Sequence, residues 1–161
     1  MIVNYSDEEI KTNKKSIFLA GPTPRSPEVK SWRPQALKFL EQLGFDGLVY
    51  VPEHKTKVKY DYTDQVNWER SGLDNANLIV FWVPREINTM PAFTTNVEFG
   101  FFLAKTPNKV LYGRPDNAEK MRYLDWLYQK ETEKLPFHTL EDTLKSAVDL
   151  LNHSSVNLIN R

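Results

Sequence analysis

Leu78-Ile79-Val80-Phe81-Trp82-Val83 carries no polar side chain, and Pro84 stops it. The run is strand-sized, and a strand without a polar face has to be covered on both sides. That requirement points to the interior of a parallel sheet with helices above and below it. Other segments agree. Residues 16–20 read as a buried strand closed by Gly21-Pro22, 48–51 as a second closed by Pro52, and 109–112 as a fourth closed by Gly113. A short fifth strand is expected at 135–138. Apolar residues at three- and four-residue steps predict helices over 27–43 (Val29, Trp32, Ala36, Phe39, Leu40, Leu43), 62–76, 95–105, 115–130 and from 139 onward. Strands alternating with helices imply right-handed crossovers and a mostly parallel α/β sheet.

A chain of 161 residues fits one domain. The expected division is a polar leader over 1–15 and a single domain over 16–161. Lys plus Arg and Asp plus Glu both count 21, and this balance argues against a nucleic-acid partner bound through a strong basic field. No run approaches the ~20 apolar residues of a membrane span, so no membrane partner is expected. The absence of cysteine excludes a disulfide scaffold, a thiolate zinc site and a cysteine nucleophile. Residues 1–15 lack the apolar core of a signal peptide, and the chain reads as cytoplasmic. His54, His138 and His153 are scattered without metal-ligand spacing, so no metal is expected, and no cofactor is expected either.

Ligands of such sheets bind beyond the carboxyl ends of the strands. Residues 21–26, 52–56, 84–96 and 112–116 are therefore the ones to inspect. They hold no phosphate-binding G-x-x-x-x-G-K-[ST], no G-x-G-x-x-G, no phosphorelay aspartate after the third strand and no Gly-rich serine elbow. Gly21-Pro22-Thr23-Pro24-Arg25-Ser26 offers a close backbone approach, two hydroxyls and a cation. It reads equally as an anion- or sugar-holding loop and as a proline-stiffened turn. Thr94-Thr95-Asn96-Val97-Glu98 sets hydroxyls, an amide and a carboxylate at a helix start. Thr95-x-x-Glu98 matches a capping box, while a nucleophilic Glu98 is the functional alternative. Trp68-Glu69 supplies a flat aromatic and a second acid, or a core residue and a surface ion pair.

Taken together, 17–25 (Ile-Phe-Leu-Ala-Gly-Pro-Thr-Pro-Arg), Ser31-Trp32-Arg33, Val51-Pro52-Glu53, Trp68-Glu69, 79–85 and 91–100 resemble the nucleoside 2-deoxyribosyltransferase-like family. The resemblance covers roughly residue 16 to the last helix. It implies a flavodoxin-like three-layer sandwich, a five-stranded parallel sheet in the order 2-1-3-4-5, and a homo-oligomer, dimer or higher. The aromatics Tyr123, Trp126 and Tyr128 on one helix are candidates for that interface.

The resemblance also implies a mechanism. The Glu of the family's Glu-x-Gly element attacks C1′ of a 2′-deoxynucleoside and displaces the base. A second base or water then releases the sugar with retention. That Glu falls on Glu98, with Gly100 after it. Gly21, Pro22, Thr23, Arg25, Glu53, Trp68, Glu69, Asn77, Thr94, Thr95 and Asn96 are the implied substrate-binding residues, Arg25 for a 5′-phosphate. Two departures stand out. The family's Ala-Asp pair reads Ala76-Asn77, and Ala92-Phe93-Thr94 stands where the transferases carry an Asp before the nucleophile. The acid for the leaving base then has to come from Glu69, Asp74 or Glu53. An NAD-type N-glycosidase and a catalytically silent nucleotide-binding module are the alternatives.

Overall fold

The computed structural model describes residues 1–13, 15–56 and 61–159. The elements are β1 (Ile2–Tyr5), β2 (Ser16–Ala20), α1 (Arg33–Gln42), β3 (Leu48–Val51), α2 (Tyr62–Asn75), β4 (Leu78–Trp82), α3 (Phe93–Lys105), β5 (Val110–Gly113), α4 (Arg122–Thr132) and α5 (Leu140–Ile159), with a short 3₁₀ turn at Pro107–Lys109. The strands form one all-parallel sheet in the order β1-β3-β2-β4-β5. It is a three-layer α/β fold of the flavodoxin-like kind.

β2, β3, β4 and β5 are buried at every position. Alternate residues of each strand serve opposite faces. On one face Ile79 and Phe81 of β4 join Trp68 and Leu73 of α2, Phe99, Phe102 and Leu103 of α3, and Leu124 and Tyr128 of α4. On the other, Leu78, Val80 and Trp82 join Ala36 and Leu40 of α1 and Leu144, Ala147 and Val148 of α5. β4 is covered on both faces, as its lack of a polar face demands, and is bonded on both edges, by β2 and β5.

Four expectations need correction. Part of the expected leader is a strand: Ile2–Tyr5 pairs with β3, Ile2 opposite Leu48 and Tyr5 opposite Val51. An edge strand needs only one neighbour. Its polar Asn4 is fully buried, where its side chain accepts from Lys11 N at 2.8 Å and donates to Glu9 O at 3.1 Å. The expected fifth strand at 135–138 shrinks to one parallel bridge between Phe137 and Gly113, in which Phe137 N donates to Tyr112 O and Phe137 O accepts from Arg114 N, before α5 begins at Leu140. The predicted order 2-1-3-4 for the four well-formed strands survives, with the new strand added outside strand 2. Helix α1 begins at Arg33 rather than near 27, with Pro34 in its first turn, and α4 begins at Arg122 rather than 115.

Candidate active site

The loop after β2, the chain after β3, one face of α2 and the start of α3 converge on a cavity of about 250 Å³. Phe18 and Ala20 of β2 help to line it. The β2–α1 loop contributes Gly21, Pro22, Thr23 and Arg25, and α2 contributes Tyr62, Gln65, Val66 and Glu69. Residues 91–95 and Glu98 close the far wall.

Gly21 has a positive φ of 146°, and a Cβ there would lie 2.1 Å from the Trp82 carbonyl oxygen. Only glycine lets the loop leave β2 beside β4. The guanidinium of Arg33, 1% exposed, then fixes the loop from below. Its Nε donates to Leu19 O (3.1 Å), Nη2 to Gly21 O (2.7 Å), and Nη1 to Thr23 Oγ1 (3.0 Å) and Glu53 Oε1 (2.7 Å). Ser31 Oγ donates to the same Glu53 oxygen at 2.6 Å. Sequence reasoning missed Arg33 as a site residue. The signal was present: Arg33 shares the buried face of α1 with Ala36 and Leu40, where an arginine is out of place unless partnered.

α3 starts one residue after Ala92, which caps it in the left-handed conformation (φ 60°) with no side-chain cap bond. Thr95 therefore lies inside the helix and Glu98 in its second turn, so the Thr95-x-x-Glu98 capping box does not form. Glu98 is free to face the cavity. Opposite it, α2 is capped by Asp61, whose carboxylate accepts from Thr63 N at 2.8 Å. This start sets Tyr62, Gln65, Val66 and Glu69 on one face. Gln65 Nε2 donates to Glu69 Oε1 at 2.9 Å.

Burial pushes the Glu98 carboxyl up to about 7, the Glu69 charge adds to this, and Arg33 opposes it. Glu69 is also raised by burial, against its bond from Gln65 and the charges of Arg33 and His54. Two carboxyls that share a low-dielectric site titrate as a pair, and one proton stays with them near neutrality. One carboxylate and one carboxylic acid can therefore face the same cavity.

Eight of the residues predicted for the site line the cavity: Gly21, Pro22, Thr23, Arg25, Glu69, Thr94, Thr95 and Glu98. Arg25 is exposed at the rim, where its guanidinium lies 5.3 Å from the Phe93 ring centroid. Among the described residues it makes no ion pair. The other four lie elsewhere. Glu53 is engaged by Arg33 and Ser31 behind the loop. Trp68 packs in the core against Phe18 and Tyr50 and donates from Nε1 to Glu8 O at 3.0 Å. Asn77 precedes β4, at the opposite end of the sheet, and accepts from Ser16 Oγ at 2.8 Å. Asn96 points away to accept from Arg85. Asp74 pairs with Arg70 and Lys105 outside the cavity. Among the described residues no group of three or more His, Cys, Asp or Glu is placed to hold a metal, and no helix is long and apolar enough to cross a membrane.

The family model for the nucleoside 2-deoxyribosyltransferase-like proteins matches residues 14–116, well over half of the chain. The chain belongs to the nucleoside 2-deoxyribosyltransferase-like family. No curated protein matches it. The matched span runs from β2 to just past β5, so the family's portion of the chain contains every residue that lines the cavity.

Proposed function

We propose that the protein breaks the N-glycosidic bond of a deoxynucleoside or deoxynucleotide and passes the sugar to another base or to water through a covalent ester on Glu98. The observation that carries this reading is the pair of half-buried carboxyls, Glu98 and Glu69, lining one cavity in a chain of this family. A Glu98 oxygen attacks C1′, and the C1′–N bond breaks with its electrons going to the base. Glu69 gives its proton to the departing base. In the second step a base nitrogen or a water oxygen attacks C1′ from the face the first base left. The ester C–O bond breaks, Glu98 recovers its carboxylate, and Glu69 takes the incoming group's proton. Two inversions give net retention. Glu69 replaces the missing Asp of the classical transferases as the acid, because Glu53 is held by Arg33 and Asp74 faces away from the cavity.

Thr23, Thr94 and Thr95 supply hydroxyls for the sugar. Arg25 receives a 5′-phosphate at the rim, a task suited to a guanidinium. The enzyme works as a homo-oligomer in the cytoplasm.

A chromatographic screen of deoxynucleosides and deoxynucleotides for released base tests the reading. Base release from the wild type that falls by orders of magnitude in Glu98→Gln is expected. Free sugar in the absence of an acceptor base would identify a hydrolase, and its appearance only as a new nucleoside a transferase. Wild-type turnover by Glu98→Gln would remove Glu98 from the mechanism. Release of nicotinamide from NAD, with no deoxynucleoside cleaved, would assign the site to another substrate.

A further inference from the structure

We propose that Gln65 selects the base and favours one with an exocyclic amino group, adenine or cytosine, over its keto counterpart. The proposal rests on the glycosidic reading above and names the substrate class of the same site. Gln65 stands one helical turn before Glu69 on the cavity face of α2, half-buried, with Tyr62 and Val66 beside it. Its amide has one nitrogen end and one oxygen end, and they are not interchangeable here. Nε2 donates to Glu69 Oε1 at 2.9 Å, and turning the amide over would set two acceptor oxygens against each other while Glu69 is ionised, or tie up on Gln65 the proton the base needs once it is not. The nitrogen is thereby pinned to the acid, and the carbonyl oxygen is the end left for a ligand. When Glu69 takes up its proton, the oxygen not engaged by Gln65 carries it. A base that receives this proton on a ring nitrogen then places its neighbouring exocyclic group beside the Gln65 oxygen.

The edges of the bases decide the rest. Adenine carries an acceptor ring nitrogen next to an amino donor, and cytosine likewise presents an amino donor where thymine and uracil present a carbonyl. An amino group completes a hydrogen bond to Gln65. A keto oxygen meets an acceptor, and accommodating it breaks the bond between Gln65 and Glu69 that orients the acid. A site built around one hydrogen bond rejects the analogue that cannot make it. Tyr62, 80% exposed at the opening, offers a ring for any base and does not discriminate.

The experiment has a catalytic arm and a binding arm. The first compares kcat/KM for deoxyadenosine with deoxyinosine, and for deoxycytidine with deoxyuridine. It uses the wild type and Gln65→Met, which keeps length and helix preference, with Gln65→Leu as a second variant. The second measures equilibrium binding of adenine and hypoxanthine by calorimetry and needs no turnover. The wild type is expected to prefer the amino partner by roughly 10- to 100-fold, the range for one good base-edge contact. In the variants the ratio should collapse towards one with the melting temperature unchanged. Equal use of amino and keto substrates by the wild type, or a ratio kept in both variants, would overturn the role of Gln65. Base release without discrimination leaves the glycosidic reading standing and removes this one. Discriminating binding without base release does the reverse, and no binding of either base removes both.

Discussion

A nucleophilic carboxylate has to be ionised, yet Glu98 sits where burial and a second acid oppose ionisation. The consequence for stability has a definite sign. A carboxyl held at about 7 in the folded chain and near its ordinary value in the unfolded one binds more protons when folded. Its contribution is full at low pH and is lost as pH rises through about 7. Glu69 acts in the same direction. Wild type should therefore lose up to about 3 kcal/mol between pH 5 and 8 relative to Glu98→Gln, whose stability is flatter over that window. Chemical denaturation of both proteins at several pH values checks it. In the wild type, base release should rise with pH as Glu98 ionises and fall again once Glu69 has lost its proton, a bell-shaped profile. Arg33 makes a separate prediction. Arg33→Met removes a cation that serves two carbonyls, Thr23 and Glu53, and leaves Glu53 without its charge partner. Breaking a buried pair this way costs about 3–5 kcal/mol. A loss under 1 kcal/mol in urea unfolding would show that the loop holds itself.

At the scale of elements, the cavity depends on how each strand hands over to its helix. The β2–α1 connection passes Trp82 too closely for any side chain at Gly21. Gly21→Ala should destabilise by about 2–3 kcal/mol through overpacking and lost conformational freedom, measured as a lower denaturation midpoint. The strands were readable because their cores are apolar at every position and end at Gly or Pro. Helix starts were not. Apolar spacing extends the first helix back to 27, but it begins at Arg33 with Pro34 in its first turn. Thr95 looked like a cap, but the helix begins earlier behind the left-handed Ala92, which no spacing rule reports. The same limits apply to the site. Most predicted residues on loops after strands reach the cavity, Glu53 being held behind the loop by Arg33, whereas Asn77 and Trp68 lie at the wrong sheet end or in the core. Gln65 went unnoticed because its partner Glu69, one turn on along the same helix, matters only once that face of α2 meets the cavity, and Arg33 because its partners come from the β2–α1 loop and the chain after β3. Polar composition hid β1 for a related reason. Asn4 satisfies itself within its own segment, and Tyr50 Oη donates to Lys11 O at 2.6 Å. Deleting residues 1–12 should lower the melting temperature by 10 °C or more, at roughly 2–4 °C per kcal/mol for a chain of this size.

For the molecule as a whole, apolar surface is concentrated near the cavity opening. Phe93, Val97 and Phe101 follow one another at four-residue steps along α3, and Phe93 and Val97 are 63% and 73% exposed. Of the aromatics expected at an interface, Tyr123 and Trp126 on α4 are exposed, whereas Tyr128 is fully buried against Phe99 and Tyr112. Light scattering at micromolar concentration should give at least a dimer, and Val97→Lys should shift it towards monomer if the α3 face is the contact. A wild-type monomer would set that assembly aside.

The sheet order also bears on how the chain is made. β1 and β2 are synthesised first, but both pair with β3, and Ile2 meets Leu48 across the sheet. No ladder can close until the ribosome has delivered β3, and β2 gains its second neighbour only when β4 follows. At ~5–20 residues per second, the first two strands wait some seconds with their edges open. Ser16-Ile17-Phe18-Leu19-Ala20 is the apolar one of the two. It is therefore the segment for which a nascent-chain chaperone has the longest opportunity.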